Sequence, residues 1–448
     1  MLACVSTPAP EPALKRTLGP VMLWGLGVGY VISGEYFGWN LGLPVAGTYG
    51  MLIATLLVTV MYVAFVLSYA ELACAIPQAG GAFAYAWRAL GPLGGFLAGL
   101  FQLVEFAFAP PAIALAIGAY LNIYLPALSP LALAALAYVL LTGLNVWGVR
   151  QAAAFELFVT VIAVAELLVF CAVTAPSFRL ENVALEAWPN GWTGVVAAIP
   201  FAIWFYLAIE GVANAAEEAR NPQRDIALGL GSAMATLVVL ALGVFFCATG
   251  VAGWRAIVYP DPGSSVPSDS PLPLAMAHAV SESSFLYAML VGVGLFGLVA
   301  SFHGILLAAG RATMALGRAD FAPRLLGRVE ARTGTPALAL GANLVFGIVA
   351  LLTGRTGQII TLSVFGALGL YVISMIALFR LRAREPELER PFRALGYPFV
   401  PALALGLALA ALAAMVVYNW ELVLVFAALV AAGLVYYALA VSPRLRSG

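Results

Sequence analysis

Of 448 residues, 63% are hydrophobic and only 9% are charged, far below the roughly 25% that a water-facing surface of this size needs. The 21 Lys and Arg are balanced by 21 Asp and Glu, so the charge offers no pull on nucleic acid. A mean hydropathy of +1.01 assigns most of the outer surface to a lipid bilayer. Cys4, Cys74, Cys171 and Cys247 are scattered and the two histidines, His278 and His303, stand apart, so no disulfide framework, metal or cofactor is expected.

The first residues (1–18) are Pro-rich and polar and read as a disordered cytoplasmic tail without a cleavable signal pattern. Apolar stretches long enough to cross a core of ~30 Å then recur. They are predicted near Pro20–Ala46, Gly50–Ala75, Leu93–Tyr124, Pro130–Gly148, Ala153–Thr174 and Gly194–Asn214. Six more follow at Leu228–Ala252, Phe285–Ala309, Pro336–Thr353, Gln358–Phe379, Tyr397–Tyr418 and Glu421–Ala440. These runs are continuous rather than alternating, which excludes a barrel of strands. The expected fold class is an all-α polytopic membrane protein with twelve transmembrane helices, here called spans 1 to 12.

An even number of spans puts both ends on one side. That side then carries every Lys and Arg from Lys15 to Arg446 except Arg179, Arg255 and Arg355. So lopsided a split fits the positive-inside rule and predicts that both termini are cytoplasmic. On the other side the longest loops are 175–193 and 253–284. The second holds Pro260, Pro262, Pro267, Pro271 and Pro273 and reads as irregular and solvated. The Arg-rich run 380–393 reads as a membrane-surface linker.

Two spans carry interruptions. Span 1 reads GLGVGYVISGEYFGWNLGLP, with Ser33-Gly34-Glu35 near its middle. Span 6 reads AIPFAIWFYLAIEGVANAAEEARNP, with Ala208-Ile209-Glu210-Gly211 deep inside. The breaks lie five spans apart and enter the membrane in opposite directions, the pattern of an inverted-repeat carrier whose site lies at the breaks. Unwinding there frees backbone N–H and C=O groups for a solute, which a membrane tolerates only inside protein or beside a cavity. The same glycines also suit close helix packing.

The spans hold Glu35, Glu71, Glu105, Glu156, Glu166 and Glu210, with no basic residue near mid-depth. Intramembrane acids cost several kcal/mol unless they face a cavity or a partner, so each is a candidate site. Glu71 and Glu156 lie near the cytoplasmic ends and read as structural. Glu105 is ~18 Å into span 3 and Glu166 ~20 Å into span 5. Such carboxyls neutralise a cationic solute or carry protons; as protonated groups they also bridge helices. With Glu35 and Glu210 at the two breaks, a carboxylate-bearing solute meets like charge and a small amine meets complementary charge. Trp204 and Tyr206, just before the second break, are candidates to cap a cation.

The stretches Tyr69-Ala70-Glu71-Leu72, Ile76-Pro77-Gln78-Ala79-Gly80-Gly81-Ala82 and Asn221-Pro222-Gln223-Arg224-Asp225-Ile226 resemble signatures of the amino acid–polyamine–organocation superfamily. VISGEYFGWNLGLP (31–44), QLVEFAFAPPAIALAIGAY (102–120) and FELFVTVIAVAELLVF (155–170) resemble the bacterial ethanolamine permeases, over about residues 17 to 440. The resemblance implies a five-plus-five inverted repeat with broken helices 1 and 6, divided as 19–176 and 177–383. Residues 384–448 then supply two peripheral helices and a short tail. It implies a site between spans 1, 3, 6 and 8, with Ser33 and Gly34 in the unwound segment, Trp204 as an aromatic gate and Glu210 as the acid after the second break; the breaks, acids and aromatics read above add Glu35, Glu105, Tyr206, Ala208 and Ile209 to the candidate substrate site. Where some proton-coupled relatives carry a span-5 lysine, this chain has Ala163 and, one turn on, Glu166, the candidate for coupling to H+ or Na+. The implied activity is import of a small amine, ethanolamine first, across a bacterial cytoplasmic membrane. An amino acid, GABA or polyamine permease is the alternative. No P-loop appears, so ATP is not expected as the drive. No nucleophile stands with a base, so no enzyme is expected. The expected partners are the amine and the bilayer, with monomer and homo-oligomer both open.

Overall fold

The computed structural model describes residues 16–147, 152–261, 263–330 and 332–447. Most of the tail 1–18, with Lys15, and also Arg150 and Pro262, lie outside the described residues. Among the described residues, ten helices are long and apolar enough to cross a membrane. They are spans 2 (Leu43–Ala75), 3 (Pro92–Tyr124), 4 (Pro130–Trp147), 5 (Ala152–Thr174), 6 (Gly191–Glu218), 7 (Pro222–Ala252), 8 (Phe285–Arg318), 10 (Thr356–Arg384), 11 (Phe399–Tyr418) and 12 (Trp420–Leu445). The broken span 1, starting with Pro20–Val31, and the 15-residue span 9, Ala337–Leu351, complete the twelve. The chain is thus an all-helical, multi-pass membrane protein. Spans 3 and 8 have 33 and 34 residues, ~50 Å at 1.5 Å per residue, so each overruns the hydrocarbon core and must tilt or project beyond it.

The packing repeats with a five-span shift. Span 1 packs on span 7 and span 6 on span 2; span 3 packs along span 10 and span 8 along span 5; spans 3 and 4 pair as spans 8 and 9 do. Burial separates a centre from a rim. In the most apolar stretch of each helix, 78% of residues are buried in spans 6 and 10 and 72% in span 3, against 28% in span 11 and 0% in span 12. Spans 11 and 12 are therefore peripheral. Span 12 touches the core through Phe426, stacked on Phe101 and Phe365.

Side-chain bonds sort the loops onto two faces. On the face with the termini, Arg311 pairs with Glu218 (2.8 Å), Arg88 with Glu385 (2.6 Å), and Thr335 reaches the Val146 carbonyl (2.9 Å). On the opposite face Asn40 reaches the Ser268 carbonyl (2.8 Å), Asn190 the Val45 carbonyl (2.8 Å), and Arg255 pairs with Glu186 (2.6 Å).

Three local expectations change. Span 1 does not run as one helix to Ala46. Its regular part ends at Val31, a short turn covers Ser33–Tyr36, and a 3-10 turn at Trp39–Gly42 leads into the Leu43 helix. That helix is interrupted at Gly47 (φ 64°), which packs against the Ala187 backbone and the Pro189 ring and separates the end of span 1 from span 2 proper. The loop 253–284 is irregular and solvated only in part. Pro271, with no N–H to lose, starts a short helix, Pro271–Ala277, whose Leu272, Ala275 and Met276 are buried at helical spacing. The run 380–393 is more than a linker. Arg382 grips Glu71 of span 2 in a two-pronged ion pair (2.7 and 2.5 Å), Arg390 adds a third contact at 3.1 Å, and the Ala394 N–H donates to the same carboxylate at 2.7 Å.

Candidate substrate site at the crossing of the broken helices

The first interruption is spread over a turn. The helix ends at Val31, and the backbone leaves helical geometry fully at Phe37 (φ −161°, ψ 175°) and Gly38 (φ 92°), just beyond the expected Ser33–Glu35. The second lies where expected: Ala208 adopts a left-handed φ of 76°, a costly position for a residue with a Cβ, and a 3-10 segment, Ile209–Glu218, follows. Strained backbone of this kind persists only where its surroundings hold it.

The two interruptions touch. A Cβ on Gly34 would press into the Trp204 carbonyl and come within 3.1 Å of the Phe205 Cα. A Cβ on Gly38 would meet the Trp204 indole, whose ring stands edge-on to Phe37 at 5.5 Å. Trp39 stacks on Phe205 at 5.7 Å. Ser33 accepts a hydrogen bond from Ser301 of span 8 (2.8 Å). The glycines thus bring backbone to backbone and also free the conformation.

The acids fall into two groups. Glu105 of span 3 faces Glu210 of span 6, and neither carboxyl oxygen of Glu105 has a hydrogen-bond donor. Two carboxyls bond to each other only when one carries a proton. Tyr371 of span 10 donates to Glu210 Oε2 (3.0 Å), and Tyr62 of span 2 bonds to Tyr371 (3.0 Å). Ser363 fixes the other side of span 3 by donating to the Glu105 carbonyl (2.7 Å). Glu35 does not join this pair. It is fully buried, both carboxyl oxygens lack a donor, and the ionisable side chains around it include Tyr36, Tyr206 and Cys171. Among the described residues no Lys or Arg pairs with Glu35, Glu105 or Glu210.

Glu166 sits apart on span 5 and accepts from the Tyr36 hydroxyl (2.6 Å), tying the outer half of span 1 to span 5. Tyr206 bonds to Thr59 through its hydroxyl (2.7 Å) and packs on Tyr62, ring centroids 5.3 Å apart. Trp204 is buried and its Nε1 has no acceptor. Ile209 is fully buried beside Ala208. Sequence reasoning missed Tyr62, Tyr371 and Ser301. A tyrosine or serine in an apolar run is common, and only the polarity of these positions hinted at them.

A cavity of ≈ 530 Å³ opens on the face opposite the termini, between Leu41, Phe201, Asp269, Arg355, Thr356 and Tyr418. The break residues do not line it. Thr356 donates to Asp269 at its wall (2.7 Å), and burial pushes the Asp269 carboxyl up to about 6, partly offset by that hydroxyl.

A broken-helix pair inside a five-plus-five packing defines an architecture; family membership comes from the sequence. The family model described as amino acid permease matches residues 18–444, almost the whole chain. The chain belongs to this family, within the amino acid–polyamine–organocation superfamily. It is 30% identical to an uncharacterised transporter of Rhizobium meliloti over 88% of this chain and 85% of that one. It is 27% identical to the methylthioribose transporter of Bacillus subtilis (91% and 90% covered) and 26% to that organism's branched-chain amino acid permease (88% and 87%). These relatives, like the family, are transporters rather than enzymes. The permease therefore moves a small molecule through a membrane.

Proposed function

We propose that this permease is a secondary active transporter that imports a small amine, ethanolamine in the first instance, by alternating access across a bacterial cytoplasmic membrane. The observation that carries the reading is the charge at the crossing: Glu35, Glu105 and Glu210 are fully buried, and no Lys or Arg among the described residues pairs with them. An ammonium group supplies the missing positive charge. A substrate carboxylate would add a negative one in a poorly screening medium.

Glu35 is the group we assign to the ammonium, because its carboxyl oxygens have no donor and, unlike Glu105, it has no second carboxyl beside it. The Glu105–Glu210 pair contributes a second acceptor once its shared proton leaves. Backbone groups at Ser33–Gly34 and Ala208–Ile209 meet the substrate hydroxyl. Trp204 closes over the first break, and Tyr206 holds its neighbours in place. An ion gradient drives accumulation, as an ATP motif is lacking.

The test is uptake of radiolabelled ethanolamine into proteoliposomes, with competition by neutral and cationic amino acids. Uptake above empty vesicles, blocked by small amines and weakly by zwitterions, is expected. Tight inhibition by a zwitterion, together with no ethanolamine flux, would move the substrate to the amino acids named for relatives such as the branched-chain permease.

A further inference from the structure

Two cysteines that read as scattered in the sequence meet in the fold. Cys171 lies one turn before the end of span 5, and Cys247 lies within the last two turns of span 7. Both are free thiols and neither is fully buried. The Cys247 Sγ donates to the Cys171 carbonyl at 3.8 Å. A Cβ on Gly243, one turn before Cys247, would come 3.6 Å from the Cys171 Sγ. The Cys171 thiol thus lies over span 7, on the face that Gly243 and Cys247 share at helical spacing. Each thiol is the other's strongest polar neighbour.

Just outward of the thiols, the same two helices are already joined. The Arg179 N–H donates to the Gly250 carbonyl (2.9 Å), and the Asn182 side-chain amide donates to the Gly250 and Val251 carbonyls (2.9 and 2.7 Å). The Phe178 ring covers Gly250 so closely that a Cβ there would come 2.1 Å from it. This joint holds the thiols face to face, so bonding them needs little backbone movement. A single anchor still lets one helix pivot against the other. A second anchor at Cys247, ~4.5 Å below Gly250 along the helix axis, removes the pivot. Span 7 packs on span 1 and on the segment that follows the second break, whereas span 5 packs along span 8. Alternating access requires the broken helices to rock against their frame, and a fixed contact between spans 5 and 7 opposes that motion.

We propose that Cys171 and Cys247 form an oxidation site, at which a disulfide fastens span 7 to span 5 and arrests the transport cycle. The oxidant is a small peroxide. One thiol attacks the O–O bond and becomes a sulfenic acid, and water leaves. The second thiol attacks that sulfur, the S–O bond breaks, the S–S bond forms and a second water leaves. The two electrons lost by the sulfur pair reduce the peroxide, and both thiol protons depart in the water. A dithiol reductant reverses the step by exchange. With the termini cytoplasmic, as the Arg distribution predicts, the pair lies toward the exterior, away from the thiol pool that keeps cytoplasmic cysteines reduced. Cys74 takes no part, because it is buried in span 2.

The test treats the purified full-length protein with hydrogen peroxide and then with dithiothreitol. Peroxide should join the Cys171 and Cys247 peptides, read by mass spectrometry of a non-reducing digest; no joined peptide overturns the site. Thermal unfolding in detergent needs no substrate. Oxidised wild type should melt above the reduced protein, because the cross-link restricts the unfolded chain, and Cys171→Ser and Cys247→Ser should show no such rise. An unchanged midpoint in wild type overturns the fastening, whatever the substrate is. Uptake into proteoliposomes is measured with ethanolamine and with leucine, and the arrest is read on the solute that the reduced protein carries. Peroxide should lower that uptake about tenfold or more, and dithiothreitol should restore it. Each serine variant should transport like wild type and keep its rate after peroxide. A joined peptide with undiminished uptake, or an equal loss in the serine variants, overturns the arrest. Leucine flux without ethanolamine flux, arrested by peroxide, sinks the amine reading and leaves the thiol pair standing. Either serine variant gives these readouts if the other fails to fold.

Discussion

Glycine sets how closely the two broken helices approach, and Gly34 is the tightest point. A methyl there meets main chain on span 6, at the Trp204 carbonyl and the Phe205 Cα, rather than a side chain that could turn away. Overpacking of this kind costs about 1–3 kcal/mol. Gly34→Ala is therefore expected to lower the thermal unfolding midpoint in detergent and to abolish uptake. A variant with wild-type uptake would show that the two breaks do not need this contact. The importance of Gly34 was legible from its place beside Glu35 in an apolar run. The partnership of Glu105 with Glu210 was not, because 105 residues separate them in sequence and only the fold brings span 3 against span 6.

At the scale of elements, two connections read as loops turn out to fasten helices. Glu71 is fully buried, and the Arg382 and Arg390 side chains that bind it are only 20% and 7% exposed. Removing one charge from such a cluster leaves the others buried and unpaired, at about 3–5 kcal/mol. Glu71→Gln should destabilise the protein severely in thermal unfolding. Glu385→Gln, which breaks a pair with Arg88 that is 33% and 44% exposed, should cost under about 1 kcal/mol. Equal effects of the two substitutions would remove the buried cluster from its fastening role. The sequence pattern missed it because an Arg-rich run after a span has the same composition whether it lies on lipid or reaches back to span 2.

The second fastening is the outer loop docked through Asp269 and Thr356. The undocked carboxyl titrates near 3.9 and the docked one near 6. The docked state therefore binds the proton more tightly. Docking carries its full desolvation penalty above about pH 6, improves as pH falls through the window between about 6 and 4, and gains nothing further below it. Hydrogen-exchange protection of residues 264–278, corrected for intrinsic rates, should rise from pH 7.5 to 5. Asp269→Asn should hold the high value at both. Persistent pH dependence in the Asn variant would place its origin elsewhere.

The whole molecule was the most legible level, because a bilayer allows few ways to satisfy a backbone. Continuous apolar runs of this length must be helices, their number sets whether the ends share a side, and interruptions five spans apart imply a repeat. The five-span shift in packing agrees with that reading, and the bonded loops divide the arginines between two faces as the sequence did. The identity of the face is a separate matter, decided by electrostatics during insertion, and the positive-inside rule predicts that the side rich in Arg is cytoplasmic. The prediction is that residues 253–284 are outside the cell and residues 385–398 inside. Ser265 and Glu387 are exposed, one on each face. With the four native cysteines replaced, Ser265→Cys should react with a membrane-impermeant maleimide on intact cells. Glu387→Cys should react only after permeabilisation. The reverse pattern would invert the topology. It would place the ≈ 530 Å³ cavity on the cytoplasmic side of the membrane.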